Sequence, residues 1–352
     1  MMPRWQAVPS LHPGTIVLTR LVSVVLALLV GGAVFAAVGY DVPALARDVV
    51  SASFGTAFGL EDLGLLVSPL IMTGLAAAIT LRIGLWNIGA EGQFYAGAIA
   101  ATAVGLTAHG PTALVLAVMG IAGFLGGMGW ILIPALARAY LAVDEIITTL
   151  LLNFVAVLLV YYLCTGPWRD ASQSVTSATA RIPFEIPPLA DDLHWGIVIA
   201  VGLVLVVALV LAYTKWGYEV RIAGANRHAA HFAGIPVRRR LIQVMLLSGG
   251  IAGIAGMLEV AGTVHRLQGG ISNNFGYLGI MVAVIAGGAP LAVLAAALLM
   301  AVILNAGIVL QSYGMSTYEV LALTGLVLFF VAMGEQLAHY RPTRAAARRE
   351  AA

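Results

Sequence analysis

The chain alternates long apolar runs with short polar breaks. A membrane helix needs about 20 mostly apolar residues. Runs of that kind fall near 18–40, 63–81, 88–108, 112–136, 147–165, 195–213, 241–263, 276–288, 290–310 and 319–335. The pattern predicts an all-α membrane protein of about ten transmembrane helices, in a single transmembrane domain over 1–352 with its membrane core at 18–340. The eighth run is short, so it is expected to be broken, tilted or re-entrant. The first run, Leu21 to Val38, follows Arg4 and Arg20. It exceeds the roughly 7–15 residues of a secretory signal core and is read as an uncleaved span.

Charge then orients the runs. With the N-terminus inside, 14 of the 18 Lys and Arg residues fall on the cytoplasmic side and 4 outside. Basic residues concentrate in cytoplasmic loops, so both termini are expected in the cytoplasm. Two outer segments are long. Residues 42–62 are expected to lie along the interface as a helix. The stretch 166–194 is polar and carries Pro167, Pro183, Pro187 and Pro188. It is expected to cover the outer mouth or to touch a delivery protein.

Composition agrees with a bilayer setting. Hydrophobic residues make up 61% of the chain, and charged residues 10%, against about 25% in soluble domains. The net charge of +2 and the lack of a long basic run argue against nucleic acid. A single cysteine, Cys164, makes neither an intrachain disulfide nor a cysteine-based metal site. His228 and His231 are three apart without a third ligand, so no metal is expected. Lys215 is the one lysine, and no Gly-rich phosphate loop precedes it. No Ser-His-Asp order or H-E-x-x-H motif is present, so the chain reads as a non-enzyme.

Two segments interrupt the apolar pattern in a way that points to a pathway. Gly84 to Gln93 reads G-L-W-N-I-G-A-E-G-Q, with polar groups at Asn87, Glu91 and Gln93. Backbone freed inside a membrane must be satisfied by protein or by a wet cavity. A carboxylate there costs roughly 2.5–3.5 kcal/mol on insertion scales, so it faces the bundle interior. Gly269, Gly270, Asn273, Asn274 and Gly276 form a second interruption before a short apolar run. Spans 2–5 and 7–10 start from opposite sides, which predicts an inverted repeat with a midplane route. Trp86, Asn87, Glu91, Gln93, Asn153 and Glu259 are the pathway candidates. Local caps explain Asn87, Glu91 and Gln93 equally well. An interhelical hydrogen bond fits Asn153, and a gate or a snorkelling carboxylate fits Glu259. Gly123 and Gly127, Gly249 and Gly253, and Ser248, Ala252 and Gly256 are spaced for close helix packing or for a helix that lines a path.

Between the sixth and seventh runs lies a basic island, G-A-N-R-H-A-A-H-F-A-G-I, at 224–235. Lys215, Arg221, Arg227, Arg238, Arg239 and Arg240 surround it. Asn226 is placed to cap a short helix and Gly234 to end it. Ala229 and Ala230 keep that helix slim.

These segments together resemble the permeases of nucleoside and simple-sugar ABC importers, within the branched-chain amino acid and ribose-type superfamily. The matching stretches are Gly84–Gln93, V-D-E-I-I-T-T-L-L-L-N-F at 143–154, the 224–235 island, 248–262 and 276–290. Trp86 stands where that family usually has Phe. The length and the 166–194 loop are similar to the larger permease of bacterial nucleoside importers. The resemblance implies a translocation subunit in the bacterial inner membrane, as a multi-pass protein. It implies that 214–240 is a coupling loop, with Gly224, Asn226, Ala229, Ala230, Gly234 and Ile235 meeting an ABC ATPase subunit. It also implies a second permease as a heterodimer partner and an extracytoplasmic lipid-anchored binding protein. This chain would bind no cofactor, with ATP and Mg on the ATPase. A secondary transporter driven by an ion gradient is the competing reading, with Glu91 and Glu259 as its candidate carboxylates.

Overall fold

The structure is a computed structural model. It describes residues 4–7, 13–172 and 177–316, then 318, 319, 322, 325, 326, 329, 330, 333, 334 and 340–343. Two compact units are present, 53–305 and a smaller one made of 1–52 with 306–352.

In the smaller unit, α1 (Pro13–Val38) turns at Gly39 into α2 (Val42–Phe54). Asp41 accepts from the Ala44 amide and caps α2. The 42–62 segment is therefore helical where an interfacial helix is expected. Leu45, Leu310 and Met315 form a small core beside Phe35 and Tyr40. Strands β1 (Arg4–Ala7) and β2 (Tyr340–Thr343) pair antiparallel, a short departure from an all-α chain.

The larger unit is helical throughout its regular structure. It contains α3 (Ala57–Leu81), α4 (Ala90–Thr107), α5 (Thr112–Leu141), α6 (Glu145–Thr165) and α7 (Gly196–Tyr213). Then come α8 (Lys215–Ala225), α9 (Arg227–Phe232) and α10 (Val237–Leu258). Helix α10 runs on as a π-turn, Glu259–Val264. Helix α11 (Phe275–Ile285) and α12 (Pro290–Ser312) follow. Among the described residues, 6 helices are long and apolar enough to cross a membrane. Helices α4 and α11 fall short of that test, α4 because its first turn is polar and α11 because it has 11 residues. The expected tenth span, 319–335, lies mostly outside the described residues.

Helices α4, α5 and α10 meet at backbone contact. A Cβ on Gly253 would lie 2.1 Å from the Gly123 carbonyl oxygen, and one on Gly127 would lie 2.0 Å from that of Gly249. One on Gly97 would lie 2.2 Å from the Gly253 carbonyl oxygen. The small residues thus serve packing, where lipid removes the hydrophobic drive between helices and close dispersion contact replaces it. Gly249 and Gly253 are buried against α5.

Candidate functional site

The Gly84–Gln93 segment forms a buried polar hub. Helix α3 ends with Gly84 at φ +71°, where the Leu85 amide reaches back to the Thr80 carbonyl. The chain then runs through residues 85–89 into α4. Asn87 and Gln93 exchange two amide hydrogen bonds, each 2.8 Å. Asn87 Nδ2 also lies 2.8 Å from Ser248 Oγ on α10, and its Oδ1 accepts from the Gly89 amide at 3.1 Å. Ser248 Oγ in turn donates to the Ala76 carbonyl on α3, 2.6 Å away. Asn153 on α6 accepts from the Gly92 amide at 2.9 Å and donates to the Ile88 carbonyl at 2.8 Å. Its Nδ2 also sits 3.3 Å from the Tyr277 hydroxyl. Four helices are tied to one loop by side chains that are 3% (Asn87), 1% (Gln93) and 0% (Asn153) exposed. Each buried amide has its partners, as a low-dielectric interior requires.

Glu91 joins this hub to α11. Its Oε2 accepts from the Gly276 amide at 2.9 Å. A Cβ on Gly276 would lie 2.2 Å from the Glu91 backbone nitrogen, so the two helix starts touch. The Thr73 hydroxyl on α3 lies 2.9 Å from the Phe275 carbonyl beside them. The far end of α11 meets the far end of α3, where Arg82 Nε donates to the Gly288 carbonyl at 2.6 Å. Thr73 and Arg82 are nine residues apart, about 13 Å along a helix. Both half-helices therefore begin about 13 Å in from the end of α3 marked by Arg82.

Trp86 is the exception in the motif. It is 44% exposed, while its backbone amide donates to Glu145 at 3.3 Å. Glu145 also pairs with Arg138 at 3.0 Å, and Asp144 caps α6 by accepting from the Ile146 amide.

The 224–235 island folds at that same Arg82 end. Asn226 accepts from the Ala229 amide at 3.0 Å and starts α9. Gly234 takes φ +74°, and the Ile235 amide returns to the Ala230 carbonyl. Ala230 and Ile235 are buried, whereas Phe232 is 93% exposed, beside His231. Gly224 packs on the Arg82 carbonyl, where a Cβ would lie 2.0 Å away. Arg227 reaches the Gly84 carbonyl at 3.4 Å. The exposed helix thus rests on the turn that opens the buried hub. Arg240 pairs with Glu219, and Trp216 donates to Gln243, which fastens α8 to α10.

At the opposite end, the 177–195 segment is laid on the π-turn and the chain beyond it. The Thr179, Ile182 and Ile186 amides donate to the carbonyls of Leu267, His265 and Ala261. His194 Nδ1 accepts from the Gly196 amide at 3.0 Å, so its Nε2 carries the proton and faces Thr263 Oγ1 at 3.3 Å. Burial, with a smaller push from His265, lowers the His194 pKa to about 4. Arg181 holds Glu185 below the usual carboxylate range, helped by His265. Glu259 is buried at the start of the π-turn, one turn below Thr263.

The structure gathers Asn87, Glu91, Gln93 and Asn153 into one hub. It places Trp86 at the hub's margin and Glu259 away from it. Gly276, Ser248 and Tyr277 complete the hub, and His194 with Thr263 organises the opposite end. Gly276 stood in the second polar interruption of the sequence. Nothing in the spacing paired it with Glu91.

Residues 59–332 match the family described as the branched-chain amino acid transport system / permease component. The chain is 34% identical to the glucose ABC transporter permease protein TsgB13 of Haloferax volcanii, covering 97% of this chain and 91% of that one. It is 31% identical to the guanosine ABC transporter permease protein NupP of Bacillus subtilis, over 80% and 83%. It is 28% identical to the nucleoside ABC transporter permease protein NupB of Lactococcus lactis, over 90% and 91%.

Proposed function

The chain belongs to the family of branched-chain amino acid transport system permease components, and from that premise we propose that this ABC transporter permease imports nucleosides. Two of the relatives named above carry guanosine or nucleoside in their names and one carries glucose. Sugar hydroxyls link those classes, and a simple sugar is the second solute to try. The reading places both termini in the cytoplasm of a bacterial inner membrane. It keeps about ten spans and an inverted repeat of 2–5 and 7–10.

The observation that carries this reading is the contact of α9 with the hub. Its partner is an ABC ATPase, which supplies ATP and Mg. Phe232 offers an apolar knob to a socket, and Arg227, Arg238 and Arg239 suit an acidic rim. A push on α9 reaches the Arg82–Gly84 turn through Gly224 and Arg227, and from there Asn87 and Glu91. Since Glu91 holds the start of α11, the two half-helices are the element to be moved. A second, different permease and a lipid-anchored binding protein complete the assembly. The binding protein delivers solute on the side of the 177–195 segment.

Uptake of radiolabelled adenosine, uridine, glucose and leucine tests this in cells carrying the transporter. Gly234→Arg is expected to abolish nucleoside uptake with the chain still in the membrane. Gly234→Asn is expected to keep most of it, because Asn tolerates the left-handed backbone. Nucleoside uptake unchanged by Gly234→Arg and by Phe232→Glu, yet lost on collapse of the ion gradient, would sink the ATPase reading.

A further inference from the structure

The chain from Gly269 to Tyr277 descends beside α6. Its upper end is fixed by Tyr161, whose ring would meet a Cβ on Gly269 at 2.5 Å. Its lower end is fixed by Asn153, 3.3 Å from the Tyr277 hydroxyl. Tyr161 and Asn153 are eight residues apart, about 12 Å along α6. Asn273 and Asn274 lie between these two anchors. Both side chains are exposed, and both backbones take positive φ, 45° and 64°.

Their depth makes that exposure informative. Phe275 sits at the level of Thr73, about 13 Å from the Arg82 end of α3. A hydrocarbon core is about 30 Å thick, so the two amides lie near its middle. Lipid offers an amide no hydrogen bond, and leaving one unpaired costs roughly 2–7 kcal/mol. Non-helical backbone at this depth is tolerated where it lines water or protein. The amides therefore face a wet path or a second protein.

The side chains choose between those. Tyr161 is 46% exposed and Tyr277 partly so. An amide offers a donor and an acceptor, and a phenol adds a flat face with a hydroxyl. None of the four carries a charge. Together they suit a neutral, planar, hydroxyl-bearing solute. We propose that Tyr161, Asn273, Asn274 and Tyr277 form the solute-contact track of this permease, with a nucleoside base moving along the tyrosines and its polar edge along the asparagines. The choice of nucleoside rests on the reading in the preceding subsection, whereas the track itself rests on exposure and depth.

Thiol labelling separates the two. Asn273→Cys and Asn274→Cys are made singly in the full transporter and treated with a charged, water-borne methanethiosulfonate. The native Cys164 is buried, so wild type sets a low background. Val206→Cys, on an exposed face of α7, serves as the control away from the track. Labelling of either asparagine position at least ten-fold above that control, slowed several-fold by adenosine, is the expected result. Both positions unlabelled in an assembled transporter would overturn the track, as would labelling that appears only when the second permease is stripped away. Protection by glucose and not by adenosine would keep the track and overturn the nucleoside. Wild-type cells that import no nucleoside would overturn the substrate reading alone. Tyr161→Leu adds a selectivity readout, an adenosine-to-uridine uptake ratio changed several-fold, which Tyr162→Leu leaves unchanged.

Discussion

Two interruptions break the helices of the larger unit, and they end differently. The first, 82–89, feeds α4 and is closed by its own side chains. Asn87, Gln93 and Asn153 use their amides on each other and on nearby backbone. The second, 265–274, feeds α11 and leaves Asn273 and Asn274 exposed. Glu91 and Gly276 join the two starts. Polar residues inside a membrane protein thus do two jobs. A satisfied set fixes geometry, and an unsatisfied set beside it is free to meet solute.

The largest effect is expected from swapping an amide for an apolar group in the first interruption. Asn87→Leu strands the Gln93 amide and the Gly89 amide. Each buried orphan costs roughly 1–3 kcal/mol. The variant should lose most of its folded protein, seen as a melting temperature lowered by many degrees in detergent, and uptake should vanish with it. Asn273→Leu makes the same chemical change in the second interruption. Its melting temperature should stay within a few degrees of wild type while nucleoside uptake falls about ten-fold, the order expected from one lost polar contact. Equal melting shifts in the two variants would erase the distinction between the regions.

Gly276→Ala sits on the joint between them. Its Cβ would lie 2.2 Å from the Glu91 backbone nitrogen. Overpacking of this kind costs typically 1–3 kcal/mol. Uptake should drop in part, and the effect should shrink in Glu91→Gln, where the joint is already loosened. A double-mutant cycle on melting temperature measures that coupling. Strict additivity would show that the two starts do not bear on each other.

Much of this was open to a reader of the sequence. Glycines at 84, 89 and 92 among Asn87, Glu91 and Gln93, inside an apolar run, mark a break that protein must satisfy. The Asn226 cap and the Gly234 stop follow from local chemistry. So does the small size needed at Gly123, Gly127, Gly249 and Gly253. The partners were not open in the same way. Glu91 finds Gly276 at a separation of 185 residues, and Asn87 finds Ser248 at 161. Such pairings are set by how helices cross, which no local rule encodes. The same holds for His194, a lone histidine until the 177–195 segment lies on the π-turn. Exposure was equally hidden, since four amides in two similar breaks differ only in what folds against them.

The smallest expected effect is on the segment that covers the second interruption from the far end. His194 is neutral there, with its pKa lowered from 6.5 to about 4 by burial and, to a lesser extent, by His265. Thr263, His265 and Gly262 face its ring, with Glu259 a turn below. An unfolded or detached His194 takes up a proton near its ordinary value. Between about 6.5 and about 4 the detached form therefore binds more protons, and stability rises with pH. The contribution is complete above 6.5 and is lost as pH falls toward 4. Hydrogen exchange in 177–195, corrected for intrinsic rates, should speed up several-fold over that window. The part of that response removed by His194→Gln should be absent from 84–93, where the buried titratable group is the Glu91 carboxyl instead. His194→Gln should flatten the dependence, since Gln can still accept from the Gly196 amide but does not titrate. A pH response shared by both segments would mean that the cover and the hub open as one unit, and the two interruptions would then differ in exposure alone.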